Sequence, residues 1–158
     1  MKMNEMQEVY MKEAIRQAKK AAAIGETPVG AVIVHDGRIL TRGYNLREKK
    51  KNSLCHAEII AINRAAKKLG GWRLPGCELY VTLEPCPMCA GAILQSRIER
   101  VYFGAYDKKA GCAGSVTDLF EAGMFNHTVE TVGGVMEQEC VALLQDFFRE
   151  LRQRKKNK

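Results

Sequence analysis

The chain has 158 residues and a formal net charge of +7, with 46% hydrophobic and 27% charged residues. This balance excludes disordered and fibrous proteins, and the length suits one domain with one core. No apolar run approaches the roughly 18 residues of a membrane span, and the polar first ten residues lack the apolar stretch of a secretory signal. We therefore expect a cytoplasmic protein without membrane contact, whose six cysteines stay reduced.

The first half of the chain predicts a helix followed by a hairpin. Apolar positions at helical spacing predict a helix over residues 4 to about 23. The apolar run PVGAVIV, residues 28–34, predicts a buried strand. The Asp36-Gly37 pair is typical of a two-residue hairpin turn, so residues 38–45 are expected to form the returning strand.

The second half alternates helices with strands, and a glycine-bearing loop and a short helical turn are expected after residue 105. In chain order the predicted elements are a helix over 57–69, a strand over 78–83, a helix over 87–95, a strand over 100–105, a strand within 128–132 and a helix over 137–155. Such alternation, opened by a hairpin, predicts an α/β fold: a three-layer α/β/α arrangement with a five-stranded mixed sheet and helices on both faces. We expect a single domain over residues 1–158.

Positive charge is concentrated in two segments. Residues 149–158, RELRQRKKNK, carry six basic side chains and one acidic one, and residues 47–51, REKKK, carry four and one. The remainder of the chain is therefore close to neutral. Clustered positive charge can indicate a polyanion partner, but taken alone it is more typical of a solvated helix end and a polar loop.

One pair of short motifs indicates a metal site. Cys86 and Cys89 lie three apart at the start of a predicted helix, so their sulfurs can face one side of its first turn, where thiolates are favoured. His56 stands at the start of another helix, and two thiolates with one imidazole suit tetrahedral zinc with an open position for water. Glu58 is about 200° around the helix from His56, so it is better placed for that water. Zinc-activated water beside a proton-transferring carboxylate predicts hydrolytic deamination.

Two other interpretations of these cysteines remain open on spacing alone. A CxxC pair between a strand and a helix is also typical of a thioredoxin-like redox site. A closed structural zinc site would need a fourth ligand, and the candidates are Cys55, Cys77, Cys112, Cys140, His35 and His127. Three of these, Cys77, Cys112 and Cys140, are most simply interpreted as buried small hydrophobic residues.

The motifs HAE and PCPMC match the H-x-E and P-C-x-x-C signature of the zinc-dependent cytidine deaminase-like superfamily. From about Met6 to Arg152 the chain resembles the bacterial tRNA-specific adenosine deaminases. The resemblance rests on the segments GETPVGAVIV, GYNLRE, GGWRLPGCELYVTLEPCPMCAGAI, SRIERVYFGAYD, GCAGS, FNH and LLQDFFR. It implies a homodimer that converts adenosine to inosine at the first anticodon position of a tRNA.

The same resemblance implies roles for individual residues. His56, Cys86 and Cys89 would bind one zinc ion per chain, and Glu58 would shuttle protons. Asn45 would bind the flipped base, Asp107 would lie near its ribose, and the C-terminal helix would hold the anticodon stem-loop. On that helix the candidate contacts are Phe148 and Arg149.

Three features qualify this interpretation. Cys55 stands where that family usually has a small residue such as alanine. Phe148 belongs to an amphipathic stripe that also suits core packing, and Trp72 is expected to pack rather than to stack on a base. The alternatives to the tRNA activity are a guanine- or cytosine-type deaminase of small molecules and a non-catalytic, zinc-stabilised RNA-binding module.

Overall fold

The structure, a computed structural model, describes residues 4–157. Residues 1–3 of the predicted domain and Lys158 of the basic segment lie outside the described residues. Four helices and five strands are described. They are α1 (Glu5–Ala23), β1 (Gly30–His35), β2 (Arg38–Tyr44), α2 (Ala57–Leu69), β3 (Cys77–Leu83), α3 (Pro87–Gln95), β4 (Arg100–Ala105), β5 (Glu130–Val132) and α4 (Glu137–Lys156).

The five strands form one mixed sheet in the order β2-β1-β3-β4-β5. Strand β1 is antiparallel to both of its neighbours, whereas β3, β4 and β5 are parallel. Asp36 and Gly37 both have positive φ, of 51° and 72°, as a two-residue primed turn requires. Strands β2, β3 and β4 therefore end, and β1 begins, at one edge of the sheet, which we name the carboxyl edge.

Helices cover both faces of the sheet, as the alternating pattern predicts. On one face, α2 and α3 pack in a cluster that includes Ile33 of β1. On the other face, α1 and α4 pack in a cluster that includes the adjacent Val32 and Val34. Successive strand residues thus point to opposite faces, and burial on both faces explains why β1 is apolar throughout.

Glycine at position 43 sets the distance between α2 and the sheet. A Cβ atom at Gly43 would lie 2.6 Å from the carbonyl oxygen of Ala57, at the first turn of α2. Only glycine therefore lets the start of this helix lie directly against β2. The residues that follow Ala57 are held at the carboxyl edge as a result.

The segment between β4 and β5 differs from the prediction. The short helical turn expected there is not formed, and residues 106–129 contain only turns, bends and one isolated bridge, between Ala113 and Asp118. The Leu119 amide donates to the Cys112 carbonyl and the Phe120 amide to the Asp118 side chain, and no backbone hydrogen bond over residues 117–129 has the i→i−4 spacing of an α-helix. No helix between residues 4 and 157 has the length and apolar character needed to cross a membrane.

Candidate active site

The two halves of the predicted metal motif meet at the carboxyl edge. His56 is the N-cap of α2, Cys86 is the N-cap of α3, and Cys89 lies in the first turn of α3. The Nδ1 atom of His56 lies 3.6 Å from the Cys86 Sγ and 3.5 Å from the Cys89 Sγ. All three potential ligand atoms lie within 4.8 Å of one another. The fold therefore brings together groups that are 30 residues apart in the chain.

These three residues fit a zinc ion. Zinc bonds of about 2.3 Å to sulfur and about 2.0–2.1 Å to nitrogen, at tetrahedral angles, place the nitrogen and each sulfur about 3.6 Å apart. The observed separations agree with that spacing. Among residues 4–157 no further His, Cys, Asp or Glu joins the cluster, so the fourth ligand of a closed structural site is not supplied.

Without a metal, the three side chains share protons among themselves. A hydrogen bond from the Cys89 thiol lowers the pKa of Cys86 to about 4, and the same interaction raises the pKa of Cys89. The hydrogen bond to Cys86 also raises the pKa of His56. Cys86 is thus a thiolate between two proton donors, and a bound divalent cation would replace their protons. None of the six cysteines, all of them described, forms a disulfide.

Glu58 lies beside this cluster without joining it. Glu58 is the second residue of α2 and is only 4% exposed. Burial raises the pKa of Glu58 to about 7, well above its ordinary value of 4.5. A carboxyl group with a pKa near neutrality can both accept and donate a proton, which suits general acid–base chemistry.

Two residues of the cluster, His56 and Cys86, line a cavity of about 230 Å³ at the carboxyl edge together with Glu58. Its lining residues come from the four chain connections at this edge and from the two helix starts. They are Thr27, Val29, Asn45, Arg47, His56, Ala57, Glu58, Leu83, Glu84, Cys86, Asp107 and Ala110. The cavity is smaller than the roughly 300–1,000 Å³ of pockets for drug-sized ligands, and this size suits a single base.

Asn45 and Asp107 both line the cavity, as their predicted roles require. The Nδ2 of Asn45 donates to the Thr27 carbonyl at 3.2 Å, and its Oδ1 accepts from the Arg47 amide at 3.1 Å. One amide hydrogen and one lone pair of Asn45 remain for a ligand. One oxygen of Asp107 accepts two backbone amides of its own loop, and no described residue donates to the other oxygen.

Phe148 and Arg149 do not reach the cavity. They line a separate groove between α4 and the end of β4, and this groove includes Tyr106, the neighbour of Asp107. Phe148 is 41% exposed, so the amphipathic stripe does not bury it. Arg149 is exposed to solvent, and its guanidinium group donates a hydrogen bond to the Asp146 carboxylate. The RNA contacts of both residues remain predictions.

Trp72 packs against the guanidinium groups of Arg73 and Arg97 and not in the core. Its ring is 53% exposed and lies 4.1 Å from the guanidinium carbon of Arg73. Leu74, two residues further on, takes the buried position at this point of the chain. Cys77, Cys112 and Cys140 are buried as expected.

Sequence reasoning overlooked two buried glutamates next to the cavity, Glu26 and Glu84. They are 1% and 2% exposed, and both accept hydrogen bonds from backbone amides of neighbouring loops. Glu84 stands within the motif TLEPCPMC, and Glu26 precedes the apolar run of β1. The sequence signal that could have identified these two glutamates is an acidic residue next to a metal motif or shortly before a buried strand.

Comparison with known proteins gives one consistent family. The sequence model of the MafB19-like deaminases matches residues 4–152. A tRNA-specific adenosine deaminase of Bacillus subtilis is 56% identical over 149 residues, 94% of this chain and 92% of that protein. A solved structure from work on A-to-I editing by tRNA:A34 deaminases is 41% identical with a TM-score of 0.81, over 86% of this chain and 99% of its own. A guanine deaminase of Bacillus subtilis is 42% identical with a TM-score of 0.62, over 75% and 74%.

Proposed function

The chain belongs to the MafB19-like deaminases and, among them, to the tRNA-specific adenosine deaminases, and from this premise we propose how it acts. It is a hydrolase that converts adenosine to inosine at the first anticodon position of tRNA. The observation that carries the mechanism is the cluster of His56, Cys86 and Cys89 beside the buried Glu58, in a cavity sized for one base. We place this activity in the cytoplasm, with its tRNA substrate.

Zinc is the cofactor that the donor set supports. His56, Cys86 and Cys89 would hold one ion per chain through one imidazole nitrogen and two sulfurs. When bound, zinc activates a water molecule for nucleophilic attack at neutral pH. The absence of a fourth ligand among residues 4–157 supports a catalytic rather than a structural ion.

Glu58 would move the protons of the reaction. Its carboxylate accepts a proton from the attacking water and passes it to a ring nitrogen of the base. It then transfers the second proton of that water to the departing amino group, which leaves as ammonia while a carbonyl forms on the base. In the metal-free protein burial raises the pKa of Glu58, which favours the protonated form that the cycle passes through.

Asn45 and Asp107 would orient the substrate from two sides of the cavity. The spare hydrogen and lone pair of Asn45 can meet the edge of a base, and the unpartnered oxygen of Asp107 can accept a bond from a ribose hydroxyl. Both side chains are held by backbone hydrogen bonds, so they are ordered before the substrate enters. Such preorganisation favours reaction over mere binding.

The basic segments would bind the anticodon stem-loop. Helix α4 continues to Lys156, and the described residues of the 149–158 segment are exposed, as is the 47–51 loop. Phe148 and Arg149 would contact the RNA from the groove beside Tyr106. Since each neutralised phosphate releases counterions, the affinity for the stem-loop is expected to fall steeply between 50 and 200 mM salt. A filter-binding series over this range tests the prediction, and a flat profile would contradict it.

A homodimer is the assembly that we propose. Several apolar side chains of segments adjacent to the site are exposed, and a second copy would cover them. They include Leu54, Val116, Met124 and Phe125. Sedimentation equilibrium should give twice the mass of the chain, whereas a single-chain mass at micromolar concentration would refute this assembly.

One assay separates the candidate functions. The zinc-loaded protein is incubated with an anticodon stem-loop carrying adenosine at the first position and, in parallel, with guanine and with cytidine. We expect inosine from the stem-loop and no ammonia from the other two. Ammonia from guanine alone would instead favour the activity of the guanine deaminase relative, and zinc without turnover of any substrate would leave an RNA-binding module.

A further inference from the structure

The cavity lies between four chain connections, one at the carboxyl-edge end of each of the neighbouring strands β2, β1, β3 and β4. The outer two leave the ends of β2 and β4, and they carry Asn45 and Asp107. The inner two precede β1 and follow β3, and they carry Glu26 and Glu84. Each inner connection thus supplies one buried carboxylate directly beside an outer connection.

Glu26 binds the outer connection that follows β2. One oxygen of its carboxylate accepts the amide of Glu48 at 3.1 Å, and the other accepts the amide of Lys49 at 2.7 Å. The side chain is 1% exposed, and no described cation pairs with it. Two backbone amides therefore provide the hydrogen bonds that a buried carboxylate needs. They lie one and two residues beyond Arg47, which lines the cavity.

Glu84 binds the other outer connection, which follows β4. Oε1 accepts the Asp107 amide at 3.0 Å and the Ser115 hydroxyl, and Oε2 accepts the amides of Ala113 at 2.9 Å and Ser115 at 3.1 Å. A carboxylate offers roughly four acceptor sites, so all of them are filled. Gly111 packs against this carboxyl group, where any Cβ atom would overlap it.

We infer that Glu26 and Glu84 are positioning residues that fix the two outer connections, and with them Asn45 and Asp107, at the separation that the substrate requires. The inference rests on the proposed function for its substrate, but the hydrogen bonds that fix the connections are a property of the fold. Burying a carboxylate without a cation partner is costly, and at both positions the hydrogen bonds that offset this cost come from the outer connection. Glu84 keeps no acceptor site for a substrate proton, so it acts through the loop that it holds.

The test replaces each carboxylate by the amide of the same shape. In Glu84→Gln, the amide nitrogen can take the Oε1 position, where the Ser115 hydroxyl reverses to accept, and the Asp107 amide then loses its acceptor. In Glu26→Gln, the amide nitrogen must face the amide of either Glu48 or Lys49. The matched control is Glu13→Gln, which removes a well-bonded glutamate of α1 that does not line the cavity.

Amide hydrogen exchange measures directly how well the two outer connections are held. We expect faster exchange of the Asp107, Ala113 and Ser115 amides in Glu84→Gln, and of the Glu48 and Lys49 amides in Glu26→Gln. Neither variant should deprotect the other connection, and Glu13→Gln should deprotect neither. Unchanged exchange, or equal deprotection of both connections in all three variants, would overturn the inference.

Kinetics on the zinc-loaded protein supply the second readout. With an anticodon stem-loop as substrate, kcat should fall roughly ten- to a hundredfold in Glu26→Gln and Glu84→Gln, because a misplaced substrate contact costs about this much. KM should change less than twofold in Glu84→Gln, because Glu84 contacts neither basic segment, whereas in Glu26→Gln KM should rise as well, because Glu26 binds the amides of Glu48 and Lys49 in the basic 47–51 loop. Zinc content should stay at the wild-type value. Loss of zinc, or a wild-type kcat, would refute a positioning role.

The two hypotheses fail in different ways. If the wild-type protein does not deaminate adenosine in RNA, the proposed function is wrong, yet the exchange pattern still tests whether the carboxylates hold the connections. If the wild-type protein is active and both amide variants keep its kcat, the positioning role alone is wrong.

Discussion

Two buried glutamates of one cavity, Glu58 and Glu84, have opposite electrostatic character. They are 4% and 2% exposed. Burial raises the pKa of Glu58 to about 7. Burial also raises the pKa of Glu84, but the hydrogen bonds from Ser115, Asp107 and Ala113 outweigh it, and the net pKa lies below the ordinary value. For Glu58 burial outweighs the hydrogen bonds that it receives, so the group can exchange protons, whereas the four hydrogen bonds to Glu84 outweigh its burial and keep the carboxylate charged.

The largest expected effect is on the Glu58 side. Replacing Glu58 by glutamine removes the proton carrier while keeping the shape, so kcat should fall by about 10²–10⁴-fold. Zinc content, measured by elemental analysis, should stay at one ion per chain because Glu58 is not in the ligand cluster.

The matched control for this variant is Glu121→Gln, on an exposed turn outside the cavity, which should keep the wild-type kcat. If Glu58→Gln loses its zinc, the carboxylate is a ligand and the division of roles between the two glutamates is wrong.

A smaller effect is expected on the Glu84 side. A methyl group at Gly111 would overlap the Glu84 carboxyl group and crowd the Asp107 carbonyl, so Gly111→Ala should cost about 1–3 kcal/mol of unfolding free energy. Urea unfolding checks the value.

Gly71→Ala is the control, because a Cβ atom there meets nothing within 4 Å and φ is not positive. Its unfolding free energy should lie within about 0.5 kcal/mol of the wild type. Equal stability of both variants would show that the loop yields and that Glu84 does not hold it tightly.

A third glutamate, Glu13, is paired with Arg16 and Arg42, and we expect its replacement to have the smallest effect on the free energy of unfolding. Hydrogen bonds from Arg16, and to a lesser extent from Arg42, lower its pKa to about 2 from an ordinary value of 4.5. Between about pH 2 and pH 4.5 the folded state therefore binds fewer protons than the unfolded state. The stabilisation is complete above about pH 4.5 and is lost as the pH falls toward 2.

Urea unfolding of the wild type and of Glu13→Gln between pH 3 and 7 measures this contribution. Both arginines are about half exposed, so solvent screening limits it to about 1 kcal/mol near neutral pH. The difference between the two proteins should shrink as the pH falls. A difference independent of pH would mean that Glu13 acts through packing and not through its charge.

Much of the fold was predictable from local patterns. The bounds of α2, α3 and β4 agree with the sequence prediction, because apolar periodicity and the glycine that ends α2 are local signals. The prediction failed between β4 and β5, where a helical turn was expected. The Leu119 amide instead donates to the carbonyl of Cys112, a partner outside the helical spacing that apolar periodicity does not report.

The sequence by itself determined the chemistry of the site. His56, Glu58, Cys86 and Cys89 were identified from spacing, since each motif lies within one helix turn and its geometry is local. Only the tertiary structure decided that the imidazole lies 3.5–3.6 Å from both sulfurs and that Glu58 is buried enough to raise its pKa.

The tertiary structure also decided the roles of Glu26 and Glu84. Their partners are backbone amides up to 31 residues away, and a backbone amide is the same at every residue except proline. A side-chain motif leaves a pattern in the sequence, whereas a carboxylate bound to backbone amides leaves only one acidic residue in an apolar setting. The fold alone brings those amides to it.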